Sequence, residues 1–232
     1  MKNLIVLPVY NRSSIINNAI LKLSKEINES FEILVIDDGS EDNTAEIIET
    51  DSQIKFIQHE NTLGYGGCLI NALDYAKMNE FQFMYLLDIS YDGFIRAFKD
   101  MRDFKDEFDI LNCSRYTSMK SDEFPNDDYI NYNLSLQISA KINSVTEYNL
   151  EDTFSPFKLF RLDSLSEMTL EEFDEAFIIQ LFIQSKHFKL NVKEIFCDSV
   201  RLDINKDDFN LEYDMDYYLN FIEGEILLYP CE

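Results

Sequence analysis

Apolar residues run in short blocks through the first half of the chain, and the stretches between them are amphipathic. Residues 4–9, 33–36, 54–58, 83–87 and 110–113 read as buried strands, with continuous rather than alternating hydrophobicity. Residues 13–27, 42–49, 66–78 and 93–104 carry apolar side chains at helical spacing. This alternation predicts an α/β fold, a mostly parallel central sheet with helices on both faces. The second half is less regular. It predicts a polar loop over 117–128 around Pro125, a helix over 129–142, a short strand over 157–160 and an amphipathic helix over 173–183. A closing strand over 190–196 and a helix over 215–221 follow. No repeat, linker or compositional break interrupts the pattern, so one domain over residues 1–232 is expected.

Composition sharpens this picture. The chain of 232 residues is 46% hydrophobic and 14% aromatic, enough for one sizeable core. Its formal net charge of −24 repels nucleic acid phosphates and anionic headgroups, so nucleic acid is excluded as a partner. The four cysteines form no C-x-x-C pair, and with two histidines there is no zinc-ligand spacing. Cys113 and Cys197 lie in apolar runs and read as small buried hydrophobes, which leaves a reduced, cytoplasmic compartment as the default. The first apolar run stops at Pro8, too short for a signal-peptide core. No stretch approaches the ~18 apolar residues of a membrane-spanning helix.

In a parallel sheet, ligands bind beyond the carboxyl ends of the strands. The first four strands end there in polar or glycine-bearing loops: Pro8-Val9-Tyr10-Asn11-Arg12, the segment 37–44, the segment 61–67, and Asp88-Ile89-Ser90-Tyr91-Asp92-Gly93. Ser13 or Ser14 is expected to cap the first helix, and Ser40 or Asp42 the second. A buried strand ending in Asp37-Asp38 loses solvation energy unless something pairs with the carboxylates; ribose hydroxyls or a base N–H can do so. By itself this motif reads as a turn and a helix cap. Asp88 and Asp92 place two carboxylates within a short turn, with Ser90 a weak neutral ligand between them, which suits a hard divalent ion. The loop around Gly64, Gly66 and Gly67 fits either a phosphate approach or a simple strand-to-helix turn. Arg115 ends a further strand, where a guanidinium beside a diphosphate would make bidentate bonds. His59 and His187 have no partner at catalytic spacing and read as solvated or core histidines.

Taken in order, these motifs resemble the family 2 glycosyltransferases, and among them the dolichyl- or polyprenyl-phosphate sugar transferases. Residues 4–12 resemble the opening strand and P-x-Y-N-E, residues 35–40 V-D-D-G-S, and residues 63–67 the L-G-L-G loop. Residues 86–92 fall where the family has D-x-D-x-Q, and residues 109–116 resemble D-V-V-x-G-S-R-Y. Residues 152–161 are similar to D-x-x-S-G-F-R-x-F-R, Lys193-Glu194-Ile195 to the E-V-P strand, and residues 201–206 to R-x-x-G-x-S-K.

The resemblance implies a GT-A nucleotide-diphospho-sugar transferase fold, with a nucleotide-binding half over about 1–116 and an acceptor half over about 117–232. It implies a UDP- or GDP-sugar donor, a lipid-phosphate or glycan acceptor, and Mg²⁺ or Mn²⁺ as cofactor. Pro8, Tyr10, Asn11, Asp38 and Gly64 match the nucleotide side, with Lys206 near the phosphates. Asp88 matches the first metal carboxylate and Asp92 the Gln that also reaches the ion, while Asp88, Arg115 and Arg201 form the expected catalytic set. For a hydroxyl acceptor, Asp152 or Asp174 is a candidate base. A location at the inner face of the membrane, through a membrane-protein partner or as a homo-oligomer, is consistent with a lipid acceptor. The sequence departs from the family pattern at Arg12, which replaces an acid, and at Ser90, which replaces the second metal Asp. It departs again at Pro156 and Lys158, and at Asn131 and Asn133, where an Arg is usual. A catalytically impaired nucleotide-sugar-binding relative is the alternative these departures motivate. A nucleotidyltransferase is disfavoured because its glycine-rich, basic first loop is missing.

Overall fold

Strand β1 (Asn3–Val9) sends Ile5, Leu7 and Val9 into one hydrophobic layer and Leu4 and Val6 into the other, as the period-2 geometry of a strand buried on both faces requires. The computed structural model describes residues 2–115, 126–197 and 215–231, and side chains outside 126–132. Strands β2 (Phe31–Asp37), β3 (Lys55–Gln58) and β4 (Phe83–Leu86) pair in parallel around β1. Beyond β4 lie β5 (Ile110–Ser114), β6 (Lys158–Arg161) and β7 (Val192–Phe196), giving one seven-stranded sheet of order β3-β2-β1-β4-β6-β5-β7. β6 runs antiparallel to both its neighbours, so the sheet is mostly parallel, as expected.

Pro8 is tolerated in this central strand for a local reason. The Leu87 amide donates to the Val6 carbonyl, so the even-numbered residues of β1 turn their polar groups towards β4. The β4 ladder ends at Leu86, opposite Val6, so the N–H that Pro8 lacks has no partner to lose.

Helices cover both faces. α1 (Ile16–Ser24) and α4 (Phe94–Asp103) pack their buried stripes on the layer of Ile5 and Leu7, with Ile48 of α2 (Thr44–Glu49). The opposite layer is closed by α3 (Tyr65–Met78), α5 (Asn126–Thr146), α6 (Ala176–His187) and α7 (Met215–Leu228).

Several expectations change. α1 begins at Ile16, and neither Ser13 nor Ser14 caps it; the Arg12 carbonyl accepts the Ile15 and Ile16 amides instead. The expected amphipathic helix starts three residues later as α6, and its residues 176–185 are all buried, because α3, α5 and α7 pack around it. α7 extends to Leu228, beyond the expected 221. Cys113 and Cys197 are buried but not separate thiols: they pair as a disulfide across β5 and β7, with Cα atoms 5.7 Å apart. The polar loop expected over 117–128 falls largely outside the described residues, as do Arg201 and Lys206.

Candidate active site

The strand order reverses between β1 and β4, and the loops at that point are tied to one another by side chains. Asn11, at φ 52°, takes the left-handed conformation that Asn tolerates better than most residues. Its amide donates to Ser40 Oγ at 2.8 Å, and its carboxamide oxygen accepts the Glu41 and Asp42 amides. Asp42 also accepts the Thr44 amide at 2.9 Å, but the cap position of α2 is Asn43, without a side-chain cap bond, and not the expected Ser40 or Asp42. Burial works to raise Asp42, but hydrogen bonds from Thr44 and Ser13 outweigh it and hold the carboxyl below its ordinary value. Pro8 is half-buried and Tyr10 is 40% exposed at the open end of this edge.

Asp38 ties the second loop to the third. Its carboxylate meets His59 Nδ1 at 2.7 Å and accepts the Leu63 amide at 2.8 Å and the Gly64 amide at 3.0 Å. His59 is therefore a core histidine, one of the two readings expected for it, with its partner 21 residues upstream. Gly64 opens α3 at φ 93°. A Cβ on Gly64 would lie 2.5 Å from the Phe173 carbonyl oxygen, and one on Gly66 2.1 Å from that of Glu172. The glycines thus let α3 dock on the backbone of residues 172–174, and Gly67 donates to the Phe173 carbonyl at 3.0 Å.

The fourth loop holds the charged centre. Asp88 accepts the Ser90 amide at 2.8 Å, and Arg12 Nε donates to Ser90 Oγ at 2.9 Å. Burial raises the Asp88 carboxyl above its ordinary range, opposed by the Ser90 hydrogen bonds and by the Arg12 and Arg115 charges. Arg115 donates from Nε and Nη2 to both oxygens of Asp152 at 2.8 Å, and from Nη1 to the Tyr91 hydroxyl at 2.7 Å. Asp152 is fully buried and bound to Arg115 as a fork, which makes it a positioning carboxylate and not the base considered for a hydroxyl acceptor. Asp174 accepts the Ala176 amide and the Tyr217 hydroxyl. Glu194 completes the support: it accepts from Asn112 and from the amides of Glu151 and Asp152.

A divalent ion takes about six oxygen ligands. Asp92 is exposed, and among the described residues neither it nor Asp88 belongs to a group of three metal-ligating side chains. The Arg12 charge within reach of Asp88, and the Ser90 hydroxyl where a carboxylate is expected, both work against the ion that the resemblance implies. The three-ligand group found among the described residues is Asp38, His59 and Cys68. There the carboxylate and imidazole already bond one another, and burial pushes the Cys68 thiol well up, keeping it from being a thiolate.

Tyr65 escaped the sequence reading. Its hydroxyl is buried with no hydrogen-bond partner among the described residues, and burial raises it strongly, with Asp88, Arg115 and Glu175 within electrostatic reach. Its sequence signal was a tyrosine set between glycines, which by itself looks like turn chemistry.

Residues 4–89 match the family described as glycosyl transferase family 2. A dolichyl-phosphate beta-glucosyltransferase of Dictyostelium discoideum is 23% identical over 228 residues, covering 88% of this chain and 68% of that protein. A UDP-Glc:alpha-D-GlcNAc-diphosphoundecaprenol beta-1,3-glucosyltransferase of Escherichia coli is 37% identical over 75 residues, which is 32% of this chain and 30% of that protein. Among solved structures, glucosyl-3-phosphoglycerate synthase from Mycobacterium tuberculosis, in complex with Mn²⁺, UDP and phosphoglyceric acid, superposes with a TM-score of 0.73 at 12% identity, covering 97% of this chain and 78% of that one. S. aureus TarS 1-349 in complex with UDP-GlcNAc gives 0.63 at 20% identity, covering 100% and 68%. Residues 4–89 thus match glycosyl transferase family 2, and the whole chain shares the fold of these glycosyltransferase structures.

Proposed function

We propose that the chain transfers a hexosyl unit from a UDP- or GDP-sugar to a phosphate acceptor on a polyprenyl or dolichyl lipid. The observation that carries this reading is the linked edge at the β1/β4 reversal. Asp38, Tyr65, Asp88 and Arg115 converge there, on a chain similar along most of its length to a dolichyl-phosphate beta-glucosyltransferase. Pro8, Tyr10, Asn11, Asp38 and Gly64 line the nucleotide side, and Asp88 and Arg115 the reacting side; Arg201 and Lys206 are assigned on their motif alone. A phosphate acceptor is already ionised near neutral pH and needs no base, which suits a site where Asp152 is bound to Arg115. The remaining work is positioning and stabilisation of charge on the leaving diphosphate. The Mg²⁺ or Mn²⁺ expected from the resemblance would have Asp88 and Asp92 as its protein ligands, with the Arg12 charge near Asp88 working against it.

Among the described residues no helix is long and apolar enough to cross a membrane, so a lipid acceptor would be met at the bilayer surface. The test is nucleoside diphosphate release from UDP-glucose, UDP-GlcNAc and GDP-mannose, with polyprenyl phosphate or an oligosaccharide as acceptor. Release that needs polyprenyl phosphate is the expected result, and release only with the oligosaccharide would reassign the acceptor. The Ser90 replacement supports a second reading, a nucleotide-sugar-binding relative without turnover. Tight binding of the sugar nucleotides with no release would establish that one.

A further inference from the structure

Arg12 and Ser90, the two positions where the chain departs from the family's acidic pattern, lie on different loops and touch. Arg12 Nε donates to Ser90 Oγ at 2.9 Å. The arginine is held by its surroundings: its amide donates to Thr44 Oγ1 at 2.8 Å, its carbonyl receives the first amides of α1, and Nη1 donates to the Asn11 carbonyl at 3.2 Å. It is 7% exposed, so the guanidinium is set in place rather than waving in solvent. Asp88, two residues from Ser90, lies within electrostatic reach of it. Exchanging an acid for Arg moves the local charge by two units, and exchanging an acid for Ser moves it by one. Together they exceed the two units that a divalent ion carries.

We propose that Arg12 takes the place of the divalent cation: its guanidinium, set by Ser90, neutralises the diphosphate of the bound nucleotide, and the chain binds its donor without metal. This inference rests on the nucleotide-diphosphate reading above. A guanidinium stays charged at any working pH and offers N–H groups in a fork that matches phosphate oxygens. In the transfer the anomeric C–O bond of the donor breaks, and its electron pair stays on the β-phosphate oxygen. The acceptor phosphate oxygen forms the new bond to the anomeric carbon, and no proton has to move. Arg12 meets the charge that develops on the leaving diphosphate.

Calorimetric titration of the full chain with UDP and with GDP, in EDTA and in Mn²⁺, tests this. The expected affinities in EDTA lie within about threefold of those in Mn²⁺, and Arg12→Gln weakens binding in EDTA by about tenfold or more. Arg12→Lys is expected to recover part of that loss. The double exchange Arg12→Glu with Ser90→Asp, which restores the acidic pattern, is expected to bind only when Mn²⁺ is present. If the unaltered chain loses binding in EDTA, the inference is overturned while the nucleotide reading stands, and that measurement needs no variant to fold. A folded Arg12→Gln chain with unchanged affinity in EDTA also overturns it. Failure to bind either nucleotide, with or without the ion, overturns the nucleotide reading and this inference together.

Discussion

Asp38 stands at the end of β2 with one carboxylate serving three donors on the next loop: His59, Leu63 and Gly64. Taking the carboxylate away strips the buried His59 Nδ1 and the part-buried Leu63 and Gly64 amides of this acceptor. Asp38→Ala is expected to lower stability by about 3 kcal/mol and to abolish binding of UDP and GDP. Thermal unfolding and calorimetry check the two halves separately. Retained nucleotide affinity in a folded variant would remove Asp38 from the nucleotide side and leave it a purely structural tie. The residue itself was legible in the sequence, because two carboxylates at the end of an apolar strand demand partners. Its partners were not legible: His59 reaches Asp38 only because β2 and β3 pair in parallel with Asp37 opposite Gln58.

At the scale of elements, the glycine loop shows how one motif can carry two readings. The sequence left open a phosphate approach or a turn, and the structure shows a third cause, the close approach of α3 to the backbone of residues 172–174. Gly66→Ala would force a Cβ onto the Glu172 carbonyl, which cannot move aside as a flexible side chain could. A loss of about 1–3 kcal/mol is expected in denaturant unfolding, and a neutral result would show that residues 172–174 shift freely. Strand periods placed β1 to β5 well, because each is an apolar run bounded by polar loops. α6 misled, because a helix enclosed by other helices has no polar face to show its period. Its Gln180 and Gln184 are polar yet buried, accepting the amides of Glu171 and Thr169.

At the scale of the whole molecule, Lys158 links pH to stability. It is fully buried on β6 and donates to the Thr153 and Ser155 carbonyls. Burial lowers its pKa from the ordinary 10.5 to about 7, with Asp152 opposing. Between those values the unfolded chain holds a proton that the folded chain has released, so stability rises with pH across the window. Melting temperatures of Lys158→Met are therefore expected to climb less between about pH 7 and 9 than those of the unaltered chain. Equal slopes would mean that the lysine keeps its proton, stabilised by Asp152. The β5–β7 pairing makes a second global prediction: unreduced, denatured chain should titrate two thiols, Cys68 and Cys231. Four thiols would return Cys113 and Cys197 to the unpaired state that the sequence suggested.

By itself the sequence determined the class of fold and pointed to the edge of the sheet proposed as the site, because hydrophobic period and loop polarity are local properties. It also singled out Asp38, Asp88 and Arg115, whose residue types are costly to bury without a partner. Tertiary structure alone decided the pairings: Arg115 with Asp152, Asp38 with His59, and Arg12 with Ser90. Those contacts join positions tens of residues apart, and strand order and register decide which of them meet. The last of them moves the question raised by Ser90. What read in the sequence as a missing ligand is, in the fold, the hydroxyl that holds a cationic side chain in place.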